Sequence, residues 1–234
     1  MRITTLLALA LFVFHSSLPA LFAAKPDDVA SDPTLPNVLI LGDSISIGYT
    51  PLVRDGMKGK ANVSRPNANC GDTRMGLAGL DKWLGDTHWN VIHFNWGLWD
   101  LCYRNPEAKL QGNRDKVHGK LSTSLAEYEK NLEAIVVRLK QTGATLVWAS
   151  TTFVPEGEPG RVVGDDAKYN EVAERVMKKH GVLIDDLHAI TKTFSPDLFV
   201  KPGDVHYSDQ GNVKLAAQVI TSISEALKVQ PKSK

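Results

Sequence analysis

Short unbroken apolar runs alternate along this chain with longer segments whose apolar residues return every three or four positions. The first run, Val38, Leu39, Ile40 and Leu41, has no polar interruption, the pattern of a strand buried on both faces of a parallel sheet. Gly42 ends it, and Asp43 and Ser44 follow where the chain leaves the sheet edge. Residues 45–60 predict a helix, residues 61–64 a second strand, and residues 65–73 a polar loop. Residues 75–84 predict a helix with Leu77, Leu80 and Leu84 on one face. Val91, Ile92, His93 and Phe94 form a third strand that ends in Asn95-Trp96-Gly97.

The clearest helix covers residues 124–142, where Leu125, Tyr128, Leu132, Ile135, Val136 and Leu139 keep the spacing of a single face. Gly143 stands where a helix C-terminal glycine belongs. A fourth strand at 144–149, a Pro/Gly-rich loop at 151–164 and a helix at 167–180 closed by Gly181 follow. Residues 182–184 read as a fifth strand and 186–193 as a short helix. A loop at 202–211 leads into the closing helix, 213–227, with Val213, Ala217, Ile220 and Leu227 facing inward. Strand and helix alternate about five times without an internal repeat. This predicts one α/β domain over residues 37–229: a three-layer α/β/α sandwich around a central, mainly parallel, five-stranded sheet of flavodoxin-like type.

The chain's 234 residues suit one domain, and a 43% hydrophobic, 23% charged composition supplies an ordinary core. A formal charge of +1 leaves no basic excess for nucleic acid or an anionic membrane. At the N-terminus Arg2 precedes an apolar run over 3–14, then small and polar residues through Ala23-Ala24. That is the pattern of a signal peptide over residues 1–24, cut near Ala23 or Ala24. Its apolar run is too short to span a bilayer. We therefore expect an exported chain, periplasmic or extracellular, without stable membrane insertion. A polar lead-in (25–36) and a short tail (230–234) flank the domain. The even cysteine count, Cys70 and Cys102, makes a disulfide the expectation in an exported chain, with buried free thiols as the alternative.

A hydroxyl at the carboxyl end of a strand, beside a helix N-terminus, is where open α/β sheets place their chemistry. On the local pattern Ser44 is equally a helix cap. Its company extends the picture. Gly42-Asp43-Ser44, the glycine of Asn69-Cys70-Gly71-Asp72, the turn Gly97-Leu98-Trp99-Asp100, and Asp204-Val205-His206 before the closing helix come in order. Together they resemble the four blocks of the SGNH (GDSL-type) hydrolases. Gly-x-Ser-x-Gly, the mark of the α/β-hydrolases, is absent.

The resemblance implies that Ser44 is a nucleophile, His206 its general base and Asp204 the group that orients the imidazole, with no metal and no cofactor. It also implies that the N–H groups of Ser44 and Gly71 hold the oxyanion. Two departures stand out. Trp99 occupies the position of the family's third-block asparagine, a difference that marks a subgroup. The remaining donor is then Asn95, or the indole N–H of Trp99, or is missing. Asp204 precedes His206 by two residues instead of three, and on an extended chain residues two apart point to the same side. A Cys70–Cys102 disulfide would rigidify the oxyanion hole.

The remaining candidates read as structural. His93 lies inside an apolar strand, a hydrogen-bonded core position, and His88, His118, His180 and His188 lack metal-ligand spacing. Gly157-Glu158-Pro159-Gly160 is a turn. Trp96 and Trp99 flank Gly97 as core residues or as a platform for a sugar ring. The basic stretch 103–122 is a solvated loop, with contact to an acidic sugar as the lesser reading. The expected protein is a serine esterase acting on a small-molecule or polysaccharide ester, with O-acetyl carbohydrate foremost. An acyltransferase, a lipid esterase, or a non-catalytic glycan-binding protein on a degraded hydrolase scaffold are the alternatives.

Overall fold

In a computed structural model, residues 31–229 are described. Five strands, β1 (Asn37–Leu41), β2 (Asn62–Ser64), β3 (Val91–Phe94), β6 (Thr145–Ala149) and β7 (Leu183–Asp185), form one sheet in the order β2-β1-β3-β6-β7. Every pairing in it is parallel. The unbroken apolar runs are the central strands: Val38, Leu39, Ile40, Leu41, Val91, Ile92 and Phe94 are fully buried. Helices α1 (Ser44–Gly56) and α6 (Asp209–Lys228) pack together, and α6 lies against β3, β6 and β7. α2 (Thr73–Leu84), α3 (Leu125–Lys140) and α4 (Asp165–His180) pack in series, and a short α5 (Leu187–Thr191) follows β7. The expected three-layer sandwich and parallel five-stranded sheet are present.

Parallel strands place all their carboxyl ends on one sheet edge. The loops after β1, β2 and β3 therefore meet there, joined by the segment between β7 and α6, and these four carry the sequence blocks singled out above. The 103–122 stretch is folded: β4 (Tyr103–Arg104) pairs antiparallel with β5 (Lys120–Leu121). The described part of the lead-in, residues 31–36, is pinned as well. Asn62 Nδ2 donates to the Asp32 and Leu35 carbonyls at 2.8 and 3.3 Å, and Asp32 N–H donates back to Asn62 Oδ1 at 2.9 Å. The signal peptide expected over 1–24 and the tail over 230–234 lie outside the described residues.

Two helix faces differ from expectation. On α2, Leu80, Trp83 and Leu84 are buried with Gly76 and Gly79, whereas Leu77 is exposed. On α6 the buried residues are Leu215, Ala216, Val219, Ile223 and Ala226; of the residues expected inward, Ile220 and Leu227 are half-buried against the core, and Val213 and Ala217 are exposed. Leu215, Val219 and Ile223 form an i, i+4, i+8 stripe, one step from the row expected. In a helix this rich in alanine and branched residues, both rows carry an apolar pattern, and packing selects between them.

Candidate active site

The loop after β1 is two residues long, so Ser44 is the first residue of α1. The capping role falls to Asp43, whose side chain accepts the Ile45 N–H at 2.9 Å. Asp43 is buried, which raises its carboxyl above the usual range despite that hydrogen bond and the nearby Arg161, His206 and Arg65. Ser44 is thus released from capping. Its Oγ lies 2.9 Å from His206 Nε2.

His206 stands in the loop before α6, where Asp204 Oδ1 receives two donors. The His206 main-chain N–H reaches it at 3.0 Å and His206 Nδ1 at 2.6 Å. The residues between them are bent, not extended, so the two-residue spacing works through an Asx-type turn and not through strand alternation. Burial pushes the Asp204 carboxyl up, but the ring and main-chain hydrogen bonds from His206 outweigh it and hold it below the usual range. An ionised Asp204 places the ring proton on Nδ1 and leaves the Nε2 lone pair facing Ser44. Gly203 shapes this turn: its φ is +71°, and a Cβ there would sit 2.8 Å from the Gly157 carbonyl oxygen.

The second loop is tied to the first by Cys70 N–H donating to the Gly42 carbonyl at 3.2 Å. Gly71 has φ +62° and donates its N–H to Asn69 Oδ1 at 2.9 Å. The third loop is tied to the second by Asp100, which is fully buried. It accepts the Thr73 hydroxyl at 2.6 Å and the Thr73 N–H at 3.0 and 3.2 Å. Burial drives the Asp100 carboxyl up to about 7, against those hydrogen bonds.

No disulfide joins these loops; Cys70 and Cys102 are both free and buried. Cys102 Sγ turns toward the Tyr103 carbonyl, at 3.6 Å, and packs where a Cβ on Gly160 would come within 3.1 Å. Burial pushes the Cys70 thiol up to about 12. The rigid link expected of sulfur is supplied by Asp100 and Thr73.

The two candidates for the third donor part company. Asn95 Nδ2 donates to the Ala149 carbonyl at 2.7 Å and faces a small cavity with Ser46, Tyr49, Ser150 and Thr152, away from the cleft beside Ser44. Trp99 lines that cleft, together with Asn69, Arg104, Gln111, Arg114, Arg161 and His206. The Arg104 guanidinium lies over the Trp99 ring, 4.4 Å from its centre. Trp96 is core: it is buried and donates its indole N–H to the Cys70 carbonyl at 3.2 Å. His93 is the core residue expected, fully buried with Nε2 2.9 Å from Asp185 Oδ2, while Gln218 donates to the other Asp185 oxygen at 3.0 Å. Among the described residues no group of His, Cys, Asp and Glu is arranged to hold a metal ion.

The sequence reading placed Arg114 in a basic stretch taken mainly as a solvated loop, and did not single out Arg104, Arg161 or a role for Glu158. The turn at 157–160 is more than a connection, because Glu158 is fully buried and accepts from Arg114 at 3.0 Å, Arg161 at 2.8 Å and the Gly160 N–H at 2.7 Å. Arg161, also buried, donates Nε to the Leu98 carbonyl at 2.7 Å, fastening the β6 loop to the third block. The available signal was a glutamate and an arginine three apart in a Pro/Gly-rich loop that follows a strand.

The chain has the fold of solved esterases. No protein-family model and no curated protein matches it. Among solved structures, a lipase/acylhydrolase from Enterococcus faecalis superposes with a TM-score of 0.66 at 19% identity, covering 85% of this chain and 100% of that one. The acetyl xylan esterase AlAXEase gives 0.63 at 16% identity, over 80% of this chain and 99% of that one. An acetylxylan esterase from Geobacillus stearothermophilus gives 0.61 at 16% identity, over 80% and 94%. At such identities the likeness is one of fold.

Proposed function

We propose that the protein is an exported serine esterase of SGNH type that removes an acyl group, acetyl foremost, from a carbohydrate ester. The observation that carries this reading is the continuous line from Ser44 Oγ through His206 Nε2 and Nδ1 to Asp204 Oδ1, at 2.9 and 2.6 Å. A serine hydroxyl is a weak nucleophile until a base takes its proton, and a histidine held in one tautomer by a carboxylate is such a base. Ser44 Oγ attacks the ester carbonyl carbon while its proton passes to His206 Nε2. That proton then leaves with the alcohol, and acyl-Ser44 remains. Water repeats the sequence: its proton goes to Nε2, its oxygen bonds the acyl carbon, and Ser44 departs with the proton as the acid is released.

The tetrahedral oxyanion needs donors. As the first residue of α1, Ser44 has an N–H with no intrahelical acceptor. The Gly71 N–H becomes a second donor when the carbonyl oxygen displaces Asn69 Oδ1 from it. The likeness in fold to acetyl xylan esterases supports the choice of acetyl groups on carbohydrate, and the N-terminal apolar run supports export. The test is Ser44→Ala, assayed on a model acetyl ester and with a serine-reactive fluorophosphonate. Both turnover and labelling are expected to vanish. Turnover that survives overturns the mechanism.

The third-block tryptophan favours one other reading, a glycan-binding protein without hydrolysis. A wild-type chain that neither labels nor turns over while binding acetylated oligosaccharide would establish it.

A further inference from the structure

The cleft beside Ser44 is lined by three guanidinium groups from three segments: Arg104 on β4, Arg114 in the following loop and Arg161 in the loop after β6. Each is held by the protein. Arg161 uses Nε on the Leu98 carbonyl and Nη1 on Glu158. Arg114 uses Nε on the Gln111 carbonyl, at 3.1 Å, and Nη1 on the same Glu158 oxygen. Arg104 lies on Trp99 and donates Nη1 to the Gly112 carbonyl. Among the described residues, Nη2 of each is left without a hydrogen-bond partner, and Glu158 is the one carboxylate in contact with any of them. Asp115, on the same hairpin, is engaged by Asn105 and by the Val117 and His118 N–H groups. Three guanidinium groups therefore have one directly paired carboxylate, while Asp204 and Asp43 act on Arg114 and Arg161 only through space.

Like charges gathered in a partly dry cleft repel one another unless an anion joins them. Guanidinium groups whose orientation is already fixed lose little entropy on receiving a carboxylate or sulfate. We propose that this cleft is an anion subsite, and that the substrate is an ester on an acidic glycan, with a carboxylate or sulfate group on the acylated sugar or its neighbour. This rests on the esterase reading and narrows it.

The experiment compares kcat/KM for three O-acetylated oligosaccharides of equal length: a neutral xylan fragment, a uronate fragment and a sulfated fragment. The wild-type chain, Arg104→Gln and Arg114→Gln are each assayed. The readout is the ratio of acidic to neutral substrate, not the absolute rate. We expect a wild-type ratio of at least about tenfold, the scale of one charge-assisted contact, carried in KM and reduced by 0.5 M salt. Each variant should pull the ratio toward one. Which acidic fragment leads separates carboxylate from sulfate.

Arg104→Gln leaves the Glu158 ion pair intact, so its result stands even if Arg114→Gln fails to fold. A wild-type ratio near one overturns the subsite and leaves the esterase intact. If no ester is hydrolysed at all, the esterase reading fails, and calorimetric titration with the deacetylated uronate and sulfated fragments decides the subsite alone. Binding weakened by Arg104→Gln upholds it, and no binding overturns it.

Discussion

The Thr73 hydroxyl and main-chain N–H both end on the carboxylate of Asp100, which is fully buried, so the second and third loops of the site are joined at one residue pair. Replacing Asp100 with alanine strands two buried donors at once. We expect a loss of about 1–3 kcal/mol, read as a lower urea midpoint with an unchanged m-value.

The same carboxyl carries a pH signature. Its folded value is driven up to about 7, above an unfolded value near 3.8, so the folded state holds this proton more tightly. The resulting stability is present in acid and is lost as pH rises through 7. The melting temperature of the wild type should fall between pH 5 and pH 8 by more than that of Asp100→Asn, which has no proton to lose. Parallel pH profiles for the two chains would contradict the assignment.

Asp204→Asn tests the tautomer. An amide can donate to His206 Nδ1 and so draw the ring proton onto Nε2, which would leave no lone pair for Ser44. We expect kcat on a model acetyl ester to fall by about 10⁴, the size of the equivalent change in a serine protease, with KM little altered.

Asn95→Ala discriminates between roles. An oxyanion donor costs about 10²–10³ in kcat when removed. Because the Asn95 amide serves the Ala149 carbonyl, the expected result is a stability loss of about 1 kcal/mol and a kcat change under tenfold. A loss of 10² or more would return Asn95 to the oxyanion hole.

Thiol titration tests the cysteines. The denatured, unreduced chain should release two equivalents to a disulfide reagent, whereas the folded chain should react slowly at neutral pH. Both sulfurs are buried, and the Cys70 thiol is pushed up to about 12.

The sheet was readable because its central strands touch no water on either face: Val38 to Leu41 and Val91 to Phe94 write their burial as unbroken apolar runs, His93 excepted. The order of the blocks also placed Ser44, Asp204 and His206, since strand exits in a parallel sheet converge whatever lies between them. What the chain concealed depends on side-chain direction. Asn95 and Trp99 are four apart on one loop, and only the packing turns the first toward Ala149 and the second toward the cleft. Cys70 and Cys102 have the spacing of a bridge in loops that meet, yet their sulfurs point to different neighbours. Glu158 reads as a turn residue because its spacing to Arg161 is a weak local signal and its second partner, Arg114, comes from a distant loop. The face of α6 was half legible, with Ile220 and Leu227 against the core but Val213 and Ala217 outside, because apolar residues occupy two adjacent rows of that helix.

The near-contact of Gly203 with Gly157 has a consequence for anyone redesigning this cleft. Two backbones that meet without side chains between them leave no layer to absorb displacement, so the turn carrying Asp204 and His206 rides directly on the loop carrying Glu158 and Arg161. Lengthening or reshaping residues 155–161 therefore also displaces His206 relative to Ser44. The 105–118 hairpin belongs to the same body, because Lys116 N–H donates to the Pro159 carbonyl at 2.8 Å and Arg114 to Glu158, so a change in the arginine wall of the cleft is felt at the histidine turn as well.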